Sequence, residues 1–210
     1  SDPPDGESAM TEAATREMGR DRWLILAALC LARTSMGFQF QSIASISDHL
    51  VRAMGFSYAE IGTLIGLYML PGVVVALPGG ALVARFGDKS LAVFGLALMA
   101  AGDALAAATA TPETLFAGRA IAGAGAVVFN VAVTKMVSDW FAGREIVTAM
   151  ALTASTWPLG VALGLVGHGL IADAAGWPSV LAVTAGSSAL GLIVVALRYR
   201  TPTRAAPPTG

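Results

Sequence analysis

Apolar residues fall into long runs separated by short polar breaks. The runs occupy roughly 23–46, 59–83, 90–109, 114–136, 147–170 and 178–197. A helix rises about 1.5 Å per residue, so about 20 residues cross a hydrocarbon core about 30 Å thick. The pattern therefore predicts six transmembrane helices in one all-α bundle. Arg33 interrupts the first run and apolar character resumes beyond it, which argues against a cleaved signal peptide. Residues 1–22, rich in Glu, Asp, Pro and Ser, read as a disordered cytoplasmic tail. Residues 198–210 read as a linker or C-terminal tail, with Pro202, Pro207 and Pro208 at its flexible end. The chain does not begin with Met, so a fragment or added leading residues are expected, with Met10 or Met18 as a natural start.

Composition sharpens this picture. Charged residues make up 13% of the chain, about half of the roughly 25% usual in soluble domains. The net charge of −1 and the lack of a basic cluster give no sign of nucleic-acid binding. Cys30 is the only cysteine, so neither an intrachain disulfide nor a multi-cysteine metal site is expected. No Gly-Lys-Ser/Thr phosphate loop is present, and no cofactor is expected.

Lys and Arg set the orientation. With the N-terminus in the cytoplasm, that side holds Arg16, Arg20, Arg22, Arg85, Lys89, Lys135, Arg144, Arg198, Arg200 and Arg204, and the other side holds only Arg52. Both termini are expected in the cytoplasm of a plasma membrane, with a bacterial inner membrane favoured. Gly62 and Gly66, and again Gly160 and Gly164, have the G-x-x-x-G spacing that lets helices approach closely in lipid. Pro71, Pro78 and Pro158 lie inside spans, where each removes a backbone hydrogen bond and invites a kink.

An internal repeat accompanies the six spans. Arg33 to Gly37 and Arg119 to Gly123 both read R-x-x-x-G. Pro71 follows Arg33 by 38 residues and Pro158 follows Arg119 by 39. Three spans per copy forces the two copies to run in opposite directions through the membrane, a 3+3 inverted repeat.

Three stretches carry a family resemblance. Gly80-Ala81-Leu82-Val83-Ala84-Arg85-Phe86-Gly87-Asp88-Lys89, between spans two and three, is similar to the loop motif G-x-L-a-D-R-x-G-R-K of the major facilitator superfamily. Gly87 allows a tight turn there, and Arg85 and Lys89 hold the loop on the cytoplasmic side. Ala84 stands where the family has Asp, and Asp88 where it has Arg or Lys. The resemblance gives that Asp a latching role between transporter halves, which Asp88 would have to fill from a new position. Arg119 to Gly125 resembles the fourth-span motif R-x-x-x-G-x-G, and Asp139-Trp140-Phe141 with Arg144-Glu145 resembles the following loop. The span-five antiporter signature G-x-x-x-G-P-x-x-G-G is not met, since Trp157 precedes Pro158. The resemblance covers residues 23–197 and implies the N-terminal six-helix half of a secondary transporter. A missing C-terminal half or a second copy of the chain is the expected partner, beside the lipid bilayer.

Charges inside spans are the candidate functional groups, because each costs about 2.5–3.5 kcal/mol near the bilayer centre. Arg33, Gly37, Gln41, Ser45 and Asp48 recur at near-helical spacing along one face, as do Arg119, Gly123, Ala126 and Asn130. The resemblance puts spans one and four around a central cavity. Arg33 is the expected binding group for an anionic small solute, with Gln41 and Asn130 as hydrogen-bond partners. The alternative is that Arg33 pairs with Asp48 or a carbonyl. The resemblance gives Arg119 a part in proton coupling, against a second reading as an interfacial anchor. Asp103 could take a proton if buried, or make a local hydrogen bond near the outer interface. His168 could carry a proton or sit at the interface as an ordinary histidine.

The expected function is secondary active transport by alternating access, proton-coupled and without catalysis. A drug/proton antiporter half and a non-transporting membrane subunit are the alternatives. An intramembrane serine protease is disfavoured, because Ser187 and Ser188 lie in no G-x-S-x-G setting.

Overall fold

The computed structural model describes residues 6–72, 79–143 and 145–202, and the side chains of all of these except 6–20, 79 and 80. Among the described residues the chain forms eight helices: α1 (Gly6–Ser45), α2 (Ser47–Met54), α3 (Tyr58–Met69), α4 (Gly79–Phe86), α5 (Asp88–Thr109), α6 (Pro112–Trp140), α7 (Ile146–Ala175) and α8 (Trp177–Arg198). Five stretches are long and apolar enough to cross a membrane: Asp21–Ser45, Asp88–Thr109, Pro112–Trp140, Ile146–Ala175 and Trp177–Arg198. They agree closely with five of the six expected spans. The expected second span, 59–83, begins in α3 and ends in α4, and its residues 73–78, Pro78 among them, lie outside the described residues.

The described part of the polar N-terminal stretch belongs to α1. It is helical from Gly6 and continues into α1 without a break. Ala, Met, Glu and Arg dominate it, and these are strong helix formers.

Local chemistry sets the turns. Ser57 and Glu60 form a capping box at the start of α3, and Thr111 with Thr114 does the same for α6, where Pro112 takes the first turn. Gly87 has φ +81° between α4 and α5, and Gly176 has φ +84° between α7 and α8. Both are left-handed positions where a side chain would be strained.

The main packing pairs are α5 with α6, α1 with α7, α5 with α8, α1 with α8, and α3 with α6. Exchanging the first three spans for the last three maps this set onto itself. The α5–α6 pair becomes α8–α1, the α1–α7 pair becomes α6–α3, and α5–α8 is unchanged.

Glycines set the closest approaches. A Cβ on Gly95 would lie 2.7 Å from the Gly125 carbonyl, and one on Gly102 2.7 Å from the Ala122 nitrogen. Gly160 packs its backbone on α1, where a Cβ would lie 2.8 Å from the Phe38 nitrogen, and Gly164 meets the Gln41 side chain. The other expected pair behaves differently. Gly62 and Gly66 are exposed, with nothing near a Cβ at either, because α3 turns that face away from the described helices.

One end of the bundle carries most of the described basic residues. Arg22 pairs with Glu145 at 2.8 Å, Lys135 pairs with Asp139, and Trp140 Nε1 donates to the Arg200 carbonyl at 3.0 Å. Asp88 is buried there and accepts from the Tyr199 hydroxyl at 2.6 Å. Burial first, and then the bond to Asp88, raises the Tyr199 phenol above its ordinary value, so Tyr199 is the protonated donor. Asp88 thus ties the α4–α5 turn to the end of α8 within this bundle. Arg52 lies at the opposite end, near the His49–Asp173 pair at 3.1 Å.

Candidate functional site

Two arginines lie on the inner helices α1 and α6, and each reaches across to the other's helix. Arg33 Nη1 on α1 donates to Asn130 Oδ1 on α6. Arg119 on α6 donates to the Gln39 carbonyl at 3.3 Å, the Ser42 hydroxyl at 3.4 Å and the Phe40 carbonyl at 3.4 Å, all on α1.

Arg33 opens onto a cavity of about 340 Å³. Asn130 and Ala126 of α6, Tyr68 and Met69 of α3, Met36 of α1 and Trp157 of α7 line it. Tyr68 and Trp157 are its aromatic lining, and Phe40, outside the lining, packs against Tyr68 at 5.7 Å between ring centroids and against Trp157 at 5.2 Å. Arg33 is half-buried and its Nε has no hydrogen-bond partner among the described residues. The site therefore places a half-buried cation beside an apolar, partly aromatic surface.

Arg119 is enclosed instead. It has no exposed surface, and its guanidinium lies over the Tyr68 ring at 4.5 Å from the centroid. Asp103 of α5 is equally buried and accepts from the Thr184 hydroxyl of α8. Arg119 and Asp103 lie within electrostatic reach of one another. Gln39 joins the parts, donating to the Met99 carbonyl at 2.9 Å and accepting from the Tyr68 hydroxyl at 3.1 Å. A connected polar cluster thus runs through α1, α3, α5, α6 and α8. Arg119 and Asp103 are both fully enclosed by helices. Arg119 also stands two turns inside α6, which starts at Pro112.

The two expected polar stripes converge only in part. Arg33, Ala126 and Asn130 meet at the cavity. Gln41 does not reach it: its Nε2 donates to the Ser45 hydroxyl at 3.3 Å, and Ser45 contacts the Gly164 carbonyl at 3.4 Å. Gly37 presses on the Trp157 backbone and Gly123 on that of Tyr68. Asp48 is exposed on α2, beyond the break at Ile46, and does not pair with Arg33. His168 is buried, its ring tilted against that of Phe38 with centroids 4.2 Å apart.

Tyr68, Trp157, Gln39, Ser42 and Thr184 complete the two sites without having been expected there. One signal was available: Ser35, Gln39 and Ser42 form a second polar stripe on α1 at spacings of four and three. Among the described residues no group of His, Cys, Asp and Glu could hold a metal ion.

Long apolar helices packed around buried charges define an all-α integral membrane protein. Residues 25–210 match the family model of the Major Facilitator Superfamily, and the chain belongs to that family of membrane transporters. It is 33% identical over 127 residues to the inner membrane transport protein YajR of Escherichia coli, an alignment covering 60% of this chain and 28% of that protein. It is 29% identical over 141 residues to the methylenomycin A resistance protein of Bacillus subtilis, covering 67% and 30%. It is 28% identical over 180 residues to the cephamycin export protein CmcT of Amycolatopsis lactamdurans, covering 85% and 35%. The matched region thus spans about a third of the length of these relatives.

Proposed function

We propose that this chain forms one half of a secondary active transporter that moves a small organic anion by alternating access. The observation that carries the reading is Arg33, a membrane-depth cation held by Asn130 at the wall of a cavity with aromatic sides. A guanidinium binds a carboxylate or phosphate through paired donors, and Trp157, Tyr68 and Met36 fit an apolar body better than a hydrated inorganic ion. Gln41 has no part in this site, since it belongs to the α1–α7 seam. Arg119 and Asp103 are the proposed proton-coupling pair. The cavity is open on one side, and a second six-helix half supplies the facing wall in this reading. The crowding of basic residues at one end supports cytoplasmic termini, and the bacterial relatives support an inner-membrane location.

A second reading, export of drug-like compounds, is favoured by the names of the methylenomycin and cephamycin relatives. It uses the same cavity and differs in the direction of transport.

The test uses the complete transporter, purified in detergent and screened by thermal shift against aromatic and aliphatic carboxylates. Ligands that bind the folded state raise its melting temperature. At least one carboxylate should stabilise the protein, and Arg33→Gln should abolish that shift. A full shift retained in the variant would sink the anion assignment. Everted vesicles loaded with the same carboxylate would then separate uptake from export.

A further inference from the structure

A second cationic pocket lies away from the transport cavity, at the end where the basic residues gather. It has a volume of about 190 Å³ and is formed by the cytoplasm-facing start of α1, the end of α6 and the end of α8. Arg198 and Arg200 stand on one wall, and Leu24, Ile25 and Leu197 supply an apolar floor. Leu24 and Leu197 are exposed at the rim, where acyl chains would lie.

Backbone geometry aims both arginines at the same space. Tyr199 ends α8 in an extended conformation, φ −76° and ψ 130°, and successive side chains alternate along extended backbone. Tyr199 turns inward to Asp88, so Arg198 and Arg200 both turn outward. The Trp140 bond to the Arg200 carbonyl fixes the height of the segment. Arg22 and Lys135, at the same end, are already neutralised by Glu145 and Asp139. Arg198 and Arg200 form no ion pair among the described residues. Asp21 also lines the pocket, so two cations face one carboxylate and the net charge suits a single negative charge.

We propose that this pocket binds the phosphodiester of a monoanionic glycerophospholipid from the surrounding leaflet, with Arg198 and Arg200 on the phosphate, Leu24 and Leu197 along the acyl chains, and Asp21 accepting from headgroup hydroxyls. Basic pockets between helices at the cytoplasmic interface suit anionic headgroups. The site is independent of the transported solute, and its test does not require that solute.

The complete transporter, delipidated in detergent, is titrated with phosphatidylglycerol, phosphatidylethanolamine, phosphatidylcholine and free glycerol 3-phosphate, with native mass spectrometry counting bound molecules. Phosphatidylglycerol should be retained most tightly. Each arginine contributes roughly a fivefold factor at an anionic surface, so R198Q/R200Q should abolish most of the preference. R198K/R200K should keep the charge and much of the preference, which separates binding from a folding defect. Equal retention of phosphatidylcholine overturns the proposal, as does a preference unchanged in R198Q/R200Q. Displacement of the lipid by glycerol 3-phosphate at equal concentration overturns it too, assigning the pocket to a soluble phosphate.

Discussion

Arg33 and Arg119 each open an R-x-x-x-G segment on an inner helix, and the bundle treats them oppositely. The glycine of each segment presses on a neighbouring helix just before that helix's proline: Gly37 on Trp157 ahead of Pro158, Gly123 on Tyr68 ahead of Pro71. Arg119 is sealed by three α1 acceptors and the Tyr68 ring. Among the described residues Arg33 has one side-chain hydrogen-bond partner, Asn130, and it opens onto a cavity. A sealed charge is a structural member that must be matched from within. A charge facing a cavity keeps its donors available to something that enters. Under the function proposed above, the same R-x-x-x-G pattern holds an enclosed arginine matched from within at one place and the proposed binding group at the other.

The strongest way to break this comparison is to remove the sealed charge. Arg119→Met removes three hydrogen bonds made by a buried charged group and its seat over the Tyr68 ring; bonds to a charged group are worth about 1.5–3 kcal/mol each. We expect a melting temperature in detergent far below that of the parent. If Arg119→Met melts like the parent, Arg119 is not the strut described.

The glycine contacts give a smaller effect. A Cβ on Gly123 would lie 2.7 Å from the Tyr68 Cα, and one on Gly37 would be 3.2 Å from the Val161 nitrogen and closer still to the Trp157 carbonyl. Backbone cannot yield as a side chain does, so Gly123→Ala and Gly37→Ala should each destabilise by about 1–3 kcal/mol. Gly62→Ala and Gly66→Ala meet nothing among the described residues. They should be neutral or stabilising by up to about 1 kcal/mol through helix propensity. Thermal melts of the four variants side by side decide the point.

These glycines also show what the sequence could convey. The spans were legible because a run of apolar residues reports its own length, and five of them match to within a few residues. The G-x-x-x-G spacing was legible too, but it names a face and not what lies opposite. Gly160 and Gly164 meet α1, whereas Gly62 and Gly66 meet nothing described. The α5–α6 seam, Gly95 and Gly102 against Gly118 and Gly125, has a spacing of seven on both helices and would have been found by a longer window. Arg33 and Asn130 were visible as polar residues in apolar runs. Gln41 shared the Arg33 stripe, yet two turns along α1 the neighbour is α7 rather than the cavity. Periodicity fixes which residues share a face only along one helix. Which helix covers each part of that face depends on crossing angles, and a single sequence does not carry these.

The smallest expected effect is the sharpest probe of the comparison, because it sets one partner of each arginine against the other. Ser42→Ala removes an acceptor from sealed Arg119, and no solvent can replace it. A hydrogen bond to a buried charged group is worth about 1.5–3 kcal/mol, but Arg119 retains the Gln39 and Phe40 carbonyls. The expected loss is therefore about 1 kcal/mol. Asn130→Ala removes the partner of Arg33, whose guanidinium remains at the open cavity and can be hydrated there. We expect a stability change within about 0.5 kcal/mol, as for substitutions at exposed positions. The same change should weaken binding of the stabilising carboxylate by about fivefold to tenfold, since one ordinary hydrogen bond contributes about 1 kcal/mol. A melt that drops more for Asn130→Ala than for Ser42→Ala would mean that Arg33, too, is a strut. The cavity would then have no free cation to offer a solute.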